Sequence, residues 1–589
     1  MCGIAGAALK AGRAVPQAAL RAMGDALVHR GPDGVATELR GAFGLLHRRL
    51  AIVDLETGDQ PLRDPAGIEL IANAEIYNDL EVRRATSPNE YRTGSDCETA
   101  LRYFVRDGIG FAKSLRGMFA VAVQDCRDES LTLSRDRFGI KPLYYCDTPD
   151  GVWFASEPQA LIAAGVVPPV MNASARDTVL AMQFSPGTET IFKGVRRVAP
   201  GETLRLRDGI ITERQFNAAV PAAPPAVPQA TTEHAAIAEF DSVFMESVRV
   251  HQRADVPFGM FLSGGIDSTA ILVAMSRLNQ QPVLAYTAAF PDTAVPDERA
   301  AARAVARHCG ARHVEVEITA EDFYRHLPAI VAAVDDPVAD YAIVPSYLLA
   351  QRAKHDVKVV LTGEGGDEMF AGYGRYRSAV RPWPFRRRPW RRGILHNLGV
   401  LREQPTNWRA GLDRLESGAA RAGRGRLHAA QVTDINGWLP DDLLIKLDRT
   451  LMAHGLEGRV PFVDAKVAAF AFDLPQSFKI RDGLGKWLVR RWVSDAVPGY
   501  NAFDRKRGFT VPVADWIALR GSCLGPLVAR QPGVAEIARP EAVIELFAKG
   551  VAIHGQAKWM LLFYALWHNR HMLGRVADGD VFDVLSARS

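Results

Sequence analysis

Short apolar runs bounded by glycine or charge recur early in the chain, at residues 4–8, 43–46, 68–72, 119–123, 130–134 and 151–155. Runs of that kind, with turn residues between them, predict β-strands. Between the first two, Ala18–Val28 has apolar side chains at helical spacing and runs into the turn-rich His29-Arg30-Gly31-Pro32-Asp33-Gly34. Many short strands and few helices predict a sheet-dominated domain with peripheral helices. Ala218–Thr232 is an Ala/Pro segment that reads as a semi-rigid linker. Beyond it, strand-type runs at 256–262, 283–290, 314–318 and 357–361 alternate with helical patterns at 269–278 and 298–309. That alternation predicts a parallel, doubly wound α/β sheet. Residues 372–589 read as mostly helical. The chain divides accordingly into a first domain over 1–216, a linker over 217–232 and a second domain over 233–589.

Composition narrows the classes. A chain of 589 residues is too long for one hydrophobic core. A net charge of +4 is small for that length, so nucleic acid is not an expected partner, and the basic run 375–392 reads as a solvated loop. Cys2, Cys97, Cys126, Cys146, Cys309 and Cys523 show no CxxC spacing. This argues against a disulfide framework or a zinc site and suits a reducing compartment. Trp559–Trp567, the longest apolar run near the C-terminus, is too short to span a bilayer, and no export signal precedes Cys2. The expected location is the cytoplasm, with no membrane partner.

Candidate chemistry begins at Met1-Cys2-Gly3-Ile4. Removal of Met1 leaves Cys2 with a thiol and a free α-amine. A chain-terminal amine with a pKa of about 7.7–8.0 accepts the thiol proton near neutral pH. Five polar signatures accompany it: His47-Arg48-Arg49-Leu50-Ala51-Ile52-Val53-Asp54, Asn73-Ala74-Glu75-Ile76-Tyr77-Asn78, Thr93-Gly94-Ser95-Asp96-Cys97-Glu98, Arg116-Gly117-Met118-Phe119 and Arg135-Asp136-Arg137-Phe138-Gly139-Ile140-Lys141-Pro142-Leu143. Together they resemble the class II glutamine amidotransferases, whose glutaminase is an N-terminal-nucleophile (Ntn) hydrolase with stacked antiparallel sheets. The resemblance implies that Cys2 attacks the glutamine amide. It also implies that Arg49 holds the substrate carboxylate, Asp96 with Glu75 receives the ammonium, and Leu50, Ala51, Ile52 and Val53 line the same pocket. The oxyanion donors implied are the Asn73 side chain and the Ala74 N–H. The family usually has glycine at that second position; alanine keeps the N–H but closes backbone geometries open to glycine.

The second domain opens with Ser263-Gly264-Gly265-Ile266-Asp267-Ser268 between a strand and a helix. Such a turn presents backbone N–H groups to phosphate, and the Gly-Lys-Ser/Thr of a Walker loop is absent. Thr362-Gly363-Glu364-Gly365-Gly366-Asp367-Glu368 follows the fourth strand. Asp267 and Asp367 are then two hard oxygen ligands at strand ends, the natural pair for magnesium on a pyrophosphate. The first motif resembles the PP-loop of ATP pyrophosphatases. With Lys446-Leu447-Asp448-Arg449, Met452–Phe462, Gly485–Arg490 and Lys506-Arg507-Gly508-Phe509, the domain resembles the synthetase half of glutamine-hydrolysing asparagine synthetases. The resemblance implies ATP contacts at Leu262, Ser263, Gly264, Gly265, Asp267, Ser268, Ala288, Thr362 and Gly363. It further implies charge stabilisation on departing phosphates by Lys486, a role for Glu364 near the attacking ammonia, and glutamine, aspartate and ATP as substrates; a homodimer is left open. Asp336-Pro337 and Asp340–Pro345 stand where the family often has a serine after Asp-Pro, which keeps a different carboxylate acceptor (a peptide, a glutamine dipeptide or a sugar acid) in view. A non-catalytic regulatory or storage role is opposed by the intact Cys2, Arg49, Asp267, Asp367 and Lys486.

Overall fold

The computed structural model describes residues 2–86, 90–220, 232–293, 295, 298–382, 384–385, 388–421, 425–504, 510–550 and 554–587. Most of the linker, Arg386-Arg387 and the Lys506–Phe509 motif lie outside the described residues.

In chain order the first domain contributes β1 (Gly3–Leu9), β2 (Gly34–Arg40), β3 (Phe43–Arg49), β4 (Leu62–Asp64), β5 (Ile68–Ile76), β6 (Gly117–Asp125), β7 (Ser130–Arg135), β8 (Tyr144–Thr148), β9 (Gly151–Ala155), β10 (Val195–Arg197), β11 (Glu202–Arg207) and β12 (Ile210–Phe216). Among the described residues they form two antiparallel sheets, ordered β10-β8-β9-β1-β3-β2 and β12-β11-β7-β6-β5-β4. Side-chain alternation along β1 explains its composition. Ile4 and Ala8 enter the core between the sheets, where Ile71, Ala120, Leu133 and Phe154 meet them. Ala5, Ala7 and Leu9 face the other way, toward Leu20 and Met23 of the helix Gln17–Ala26. A strand buried on both faces has no polar position to spare. The alternation in β5 places the site. Ile68, Leu70, Ala72, Ala74 and Ile76 face the helix Cys97–Asp107, whereas Ile71 faces the first sheet. Asn73 and Glu75 share the phase of Ile71, so the inter-sheet face turns polar at the end of β5 that adjoins Cys2.

The second domain contributes β13 (Phe258–Phe261), β14 (Leu284–Ala289), β15 (Arg312–Glu317), β16 (Val359–Leu361) and β17 (Glu457–Arg459). They form a parallel sheet ordered β15-β14-β13-β16-β17. The order reverses between β13 and β16, and ligands of such sheets bind beyond the strand ends at this switch point. The helix after β13 begins at Ile266 rather than at 269, because Gly265 is still extended and Ile266 and Ser268 are already buried. The edge strand β17 interrupts a region expected to be mostly helical. Glu457-Gly458-Arg459 has no apolar run to announce it, and its charged side chains are buried by pairing instead.

The domains meet through buried arginines. Arg30 donates to Asp448 at 2.7 and 2.9 Å and to Glu157 at 2.7 Å. Arg116 forks onto Glu246 and Asp464, and Arg197 onto Asp336. Removing one partner of a buried pair costs about 3–5 kcal/mol, so these contacts hold one relative placement of the two domains. At the ends of the expected linker, Val220 is buried against the core and Thr232 caps the helix Glu233–His251. In the basic stretch, Arg375 is paired with Asp434 at 2.7 Å and stacks on Tyr373, and Arg388 pairs with Asp413 and Glu416. At Arg375 the expected solvated charge is instead held in a mostly buried pair, whereas Arg388, 55% exposed, stays at the surface.

Candidate active sites

A cleft opens at the start of β1, lined by Cys2, His47, Arg49, Leu50, Ile52, Val53, Gly58, Gln60, Ala72, Ala74, Glu75, Ser95, Asp96 and Cys97. Most of the residues expected to serve glutamine therefore share one cavity; Ala51 is next to it in sequence, its N–H held by Asp33 at 2.9 Å. Cys2 is 8% exposed. Burial pushes its thiol pKa up, while a backbone N–H from Leu50 and the Arg49 guanidinium pull it down. The Cys2 nitrogen donates to Asn73 Oδ1 at 3.0 Å, which turns Asn73 so that Nδ2, fully buried, has no partner among the described residues. A buried N–H₂ left unpaired beside a nucleophile is a donor in waiting. Ala74 lies mid-strand opposite Phe119 with a negative φ, so its Cβ carries no left-handed penalty. Arg49 is fixed by Asp59 Oδ1 at 2.9 Å and by the carbonyls of Asp54 and Leu55.

The negative groups of this cleft are strongly desolvated. Burial raises the Asp96 carboxyl to about 6, against the N–H of Ile76 and the charges of Arg253 and Arg459, which lower it. Burial likewise lifts Glu75 well above the usual carboxylate range, with Arg459 opposing and Glu457 and Asp96 adding to the rise. Burial takes His47 down to about 3, so its imidazole is neutral, and its Nε2 has no hydrogen-bond partner. Gly58 and Gln60 were not expected in the site. They belong to a loop without a distinctive pattern, and only the fold brings them to Cys2.

The second constellation lies at the switch point. Ser263 and Ser268 close the loop after β13 on themselves, Oγ to Oγ at 2.9 Å and Ser268 Oγ to the Ser263 carbonyl at 2.8 Å. Gly264 and Gly265 occupy the crest of this loop, with the Gly264 carbonyl held by Tyr500 Oη at 2.9 Å. Leu262, Ala288, Thr362 and Gly363 gather at the ends of β13, β14 and β16. Lys486, itself fully buried, reaches between two carboxylates, pairing with Asp267 and with Asp367 Oδ1 at 2.8 Å. Two glycines make that approach possible. A Cβ on Gly366 would stand 2.5 Å from Asp267 Oδ1, and one on Gly372 would collide with Asp367 Oδ1. Glu364 is partly exposed at the head of the same loop and acts electrostatically on Lys446, which is anchored by Asp340 at 2.9 Å. Asp336, by contrast, is turned to Arg197 and Tyr144 of the first domain and belongs to the interface.

The chain is similar to known proteins along nearly all of its length. The asparagine synthase family matches residues 239–569, and the glutamine amidotransferase domain family matches 1–217. A Bacillus subtilis protein named asparagine synthetase [glutamine-hydrolyzing] 1 is 31% identical over 97% of this chain and 96% of its own. A Mycobacterium bovis protein named as a putative asparagine synthetase [glutamine-hydrolyzing] is 33% identical over 96% of this chain and 97% of its own. Asparagine synthetase [glutamine-hydrolyzing] 3 of Arabidopsis thaliana is 30% identical over 82% of this chain and 72% of its own. With an Ntn-type sandwich carrying Cys2 and a PP-loop sheet carrying Asp267, the chain belongs to the family of glutamine-hydrolysing asparagine synthetases.

Proposed function

We propose that the protein is a cytoplasmic, ATP-dependent ligase that hydrolyses glutamine in its first domain and uses the ammonia in its second to convert aspartate to asparagine, releasing AMP and pyrophosphate. The observation that carries this reading is the presence of both chemical sites in one chain, locked together by buried arginine pairs. Adenylation is needed because a carboxylate is a poor electrophile, and internal passage is needed because free ammonia is protonated in water.

In the cleft, Cys2 loses its proton to its own α-amine and attacks the glutamine amide carbon. Negative charge on the amide oxygen is met by Asn73 Nδ2 and the Ala74 N–H. Arg49 takes the substrate carboxylate, and Asp96 and Glu75 take the ammonium. The adduct collapses as the protonated α-amine returns its proton to the amide nitrogen and ammonia leaves, and water then cleaves the resulting thioester to glutamate and the free thiol. At the switch point, the loop 263–268 and the start of its helix receive phosphate, and Lys486 follows the charge that develops on the leaving pyrophosphate. Asp267 and Asp367 suit magnesium, which commonly takes one or two carboxylates and completes its shell with water and substrate phosphates. Bound there, the ion would neutralise phosphate charge. Glu364, which acts electrostatically on Lys446, is assigned the role near the attacking ammonia.

Pyrophosphate release with ATP, glutamine and a panel of carboxylic acids tests the acceptor. Aspartate should give the highest rate; no response to aspartate with a clear response to another acid would overturn the assignment. The cleft also sets a pH dependence. Asp96 is charged only above about pH 6, and its charge is what the substrate ammonium requires. As pH falls below that value, kcat/KM for glutamine should drop by up to about tenfold per unit through a rise in KM. A KM that stays flat from pH 5 to 8 would take Asp96 out of the ammonium site.

A further inference from the structure

The glutamine cleft is lined wholly by the first domain, yet one of its carboxylates is held by the second. Glu75 Oε1 lies 2.9 Å from Nη2 of Arg459, at the end of β17. The arginine is fully buried, and its other donors are committed. Nε goes to Glu457 at 2.5 Å, and Nη1 goes to the carbonyls of His251 at 2.9 Å and Arg253 at 2.6 Å. A guanidinium fixed through Nε and Nη1 cannot follow Glu75; its Nη2 meets Glu75 as an ion pair rather than an aligned hydrogen bond, so it acts on that carboxylate through its charge and fixed position. The charge balance points the same way. Glu75, Asp96 and Glu457 form a group of buried acids, and burial together with the neighbouring carboxylates favours the neutral form of Glu75. A neutral acid would be a poor acceptor for an ammonium group. Arg459 opposes that neutralisation, and its charge also acts on Asp96.

We propose that Arg459 is a positioning residue for glutamine binding: from the second domain, its guanidinium keeps the Glu75 carboxylate of the first domain charged and aimed at the substrate ammonium. This rests on the reading of Glu75 as part of the ammonium site. The same residue also touches the other centre, since its carbonyl accepts the Thr362 N–H at 2.9 Å, one residue before Gly363. The strand that shapes the glutamine cleft therefore ends against the nucleotide loop.

The test is a double-mutant cycle in the full-length protein, reading KM and kcat for glutamine hydrolysis, with ammonium-dependent pyrophosphate release showing that each variant is folded. Glu75→Gln and Arg459→Met should each raise KM by about tenfold or more with a much smaller change in kcat, and Arg459→Lys should recover part of the loss. In the Glu75→Gln background, Arg459→Met should add far less than it costs alone, because its main effect runs through Glu75 and only its charge effect on Asp96 remains. Where Arg459→Met alone fails to fold, the double variant, relieved of an unpaired buried acid, is compared with Glu75→Gln directly. An unchanged KM in Arg459→Met, or a rise in the double variant as large as Arg459→Met gives alone, would overturn the inference while leaving Glu75 in the site. An unchanged KM in Glu75→Gln would overturn both together.

Discussion

Cys2→Ala should abolish glutamine-dependent synthesis and leave synthesis from added ammonium salt in place. The thiol is needed only to free ammonia from glutamine, and the carboxylate-activating site receives ammonia whatever its source. The geometry limits collateral damage. Cys2 is buried at the mouth of β1, its backbone nitrogen is held by Asn73 and its carbonyl by Arg30 Nε at 3.3 Å, so alanine keeps every backbone contact. The loss toward glutamine should be complete within detection, since no other thiol can take over: Cys97 lines the same cleft, but burial and the nearby Asp96 charge push its thiol pKa well up, away from the reactive form. Retention of Met1 should have the same result, because it blocks the α-amine that serves as base. Measurement of asparagine formed from glutamine and from ammonium decides the matter. Full glutamine-dependent activity in Cys2→Ala would remove Cys2 as nucleophile. Loss of both activities would place it in folding or in the domain interface.

Much of this architecture was legible because the chemistry interrupts otherwise apolar strands. Asn73 and Glu75 stand out in β5 only because their neighbours are all apolar, and Asp267 and Asp367 because each closes a glycine turn after a buried strand. The strands carrying these motifs therefore appeared where the alternation put them, within a few residues. What stayed hidden is whatever depends on partners far apart in the chain. β17 has a pattern of two charges around a glycine and becomes a strand only because β16 is there to pair with it. Arg459 reads as one basic residue in a family motif until Glu75, more than half the chain away, comes within 2.9 Å of it. Asp336 read as a neighbour of the acceptor pocket, yet Arg197 draws it to the interface. Short-range rules cannot supply such pairings, because their energies arise from burial that exists only once the domains have met.

Asp267→Asn and Asp367→Asn should each reduce ATP-dependent synthesis by at least about a hundredfold, on the scale of losing an electrostatic transition-state contact, and leave glutaminase activity measurable. The two carboxylates and Lys486 form one unit in which the buried ammonium is balanced between two anions. An amide has the size of the acid but not its charge. With one anion neutralised, Lys486 swings to the remaining carboxylate and no longer bisects the site, so its Nζ is displaced from the path of the leaving pyrophosphate. Magnesium would at the same time lose one of its two charged ligands. Close packing around the pair leaves no room for compensation, since Gly366 and Gly372 already bring the backbone against Asp267 and Asp367. The glutamine cleft lies in the other domain and its proposed chemistry uses no metal. The informative comparison is therefore glutamate release against pyrophosphate release in the same preparation. Wild-type pyrophosphate release in either variant would exclude that aspartate from the phosphate site, whereas parallel loss of glutamate release would show that the switch-point loop also supports the fold of the first domain.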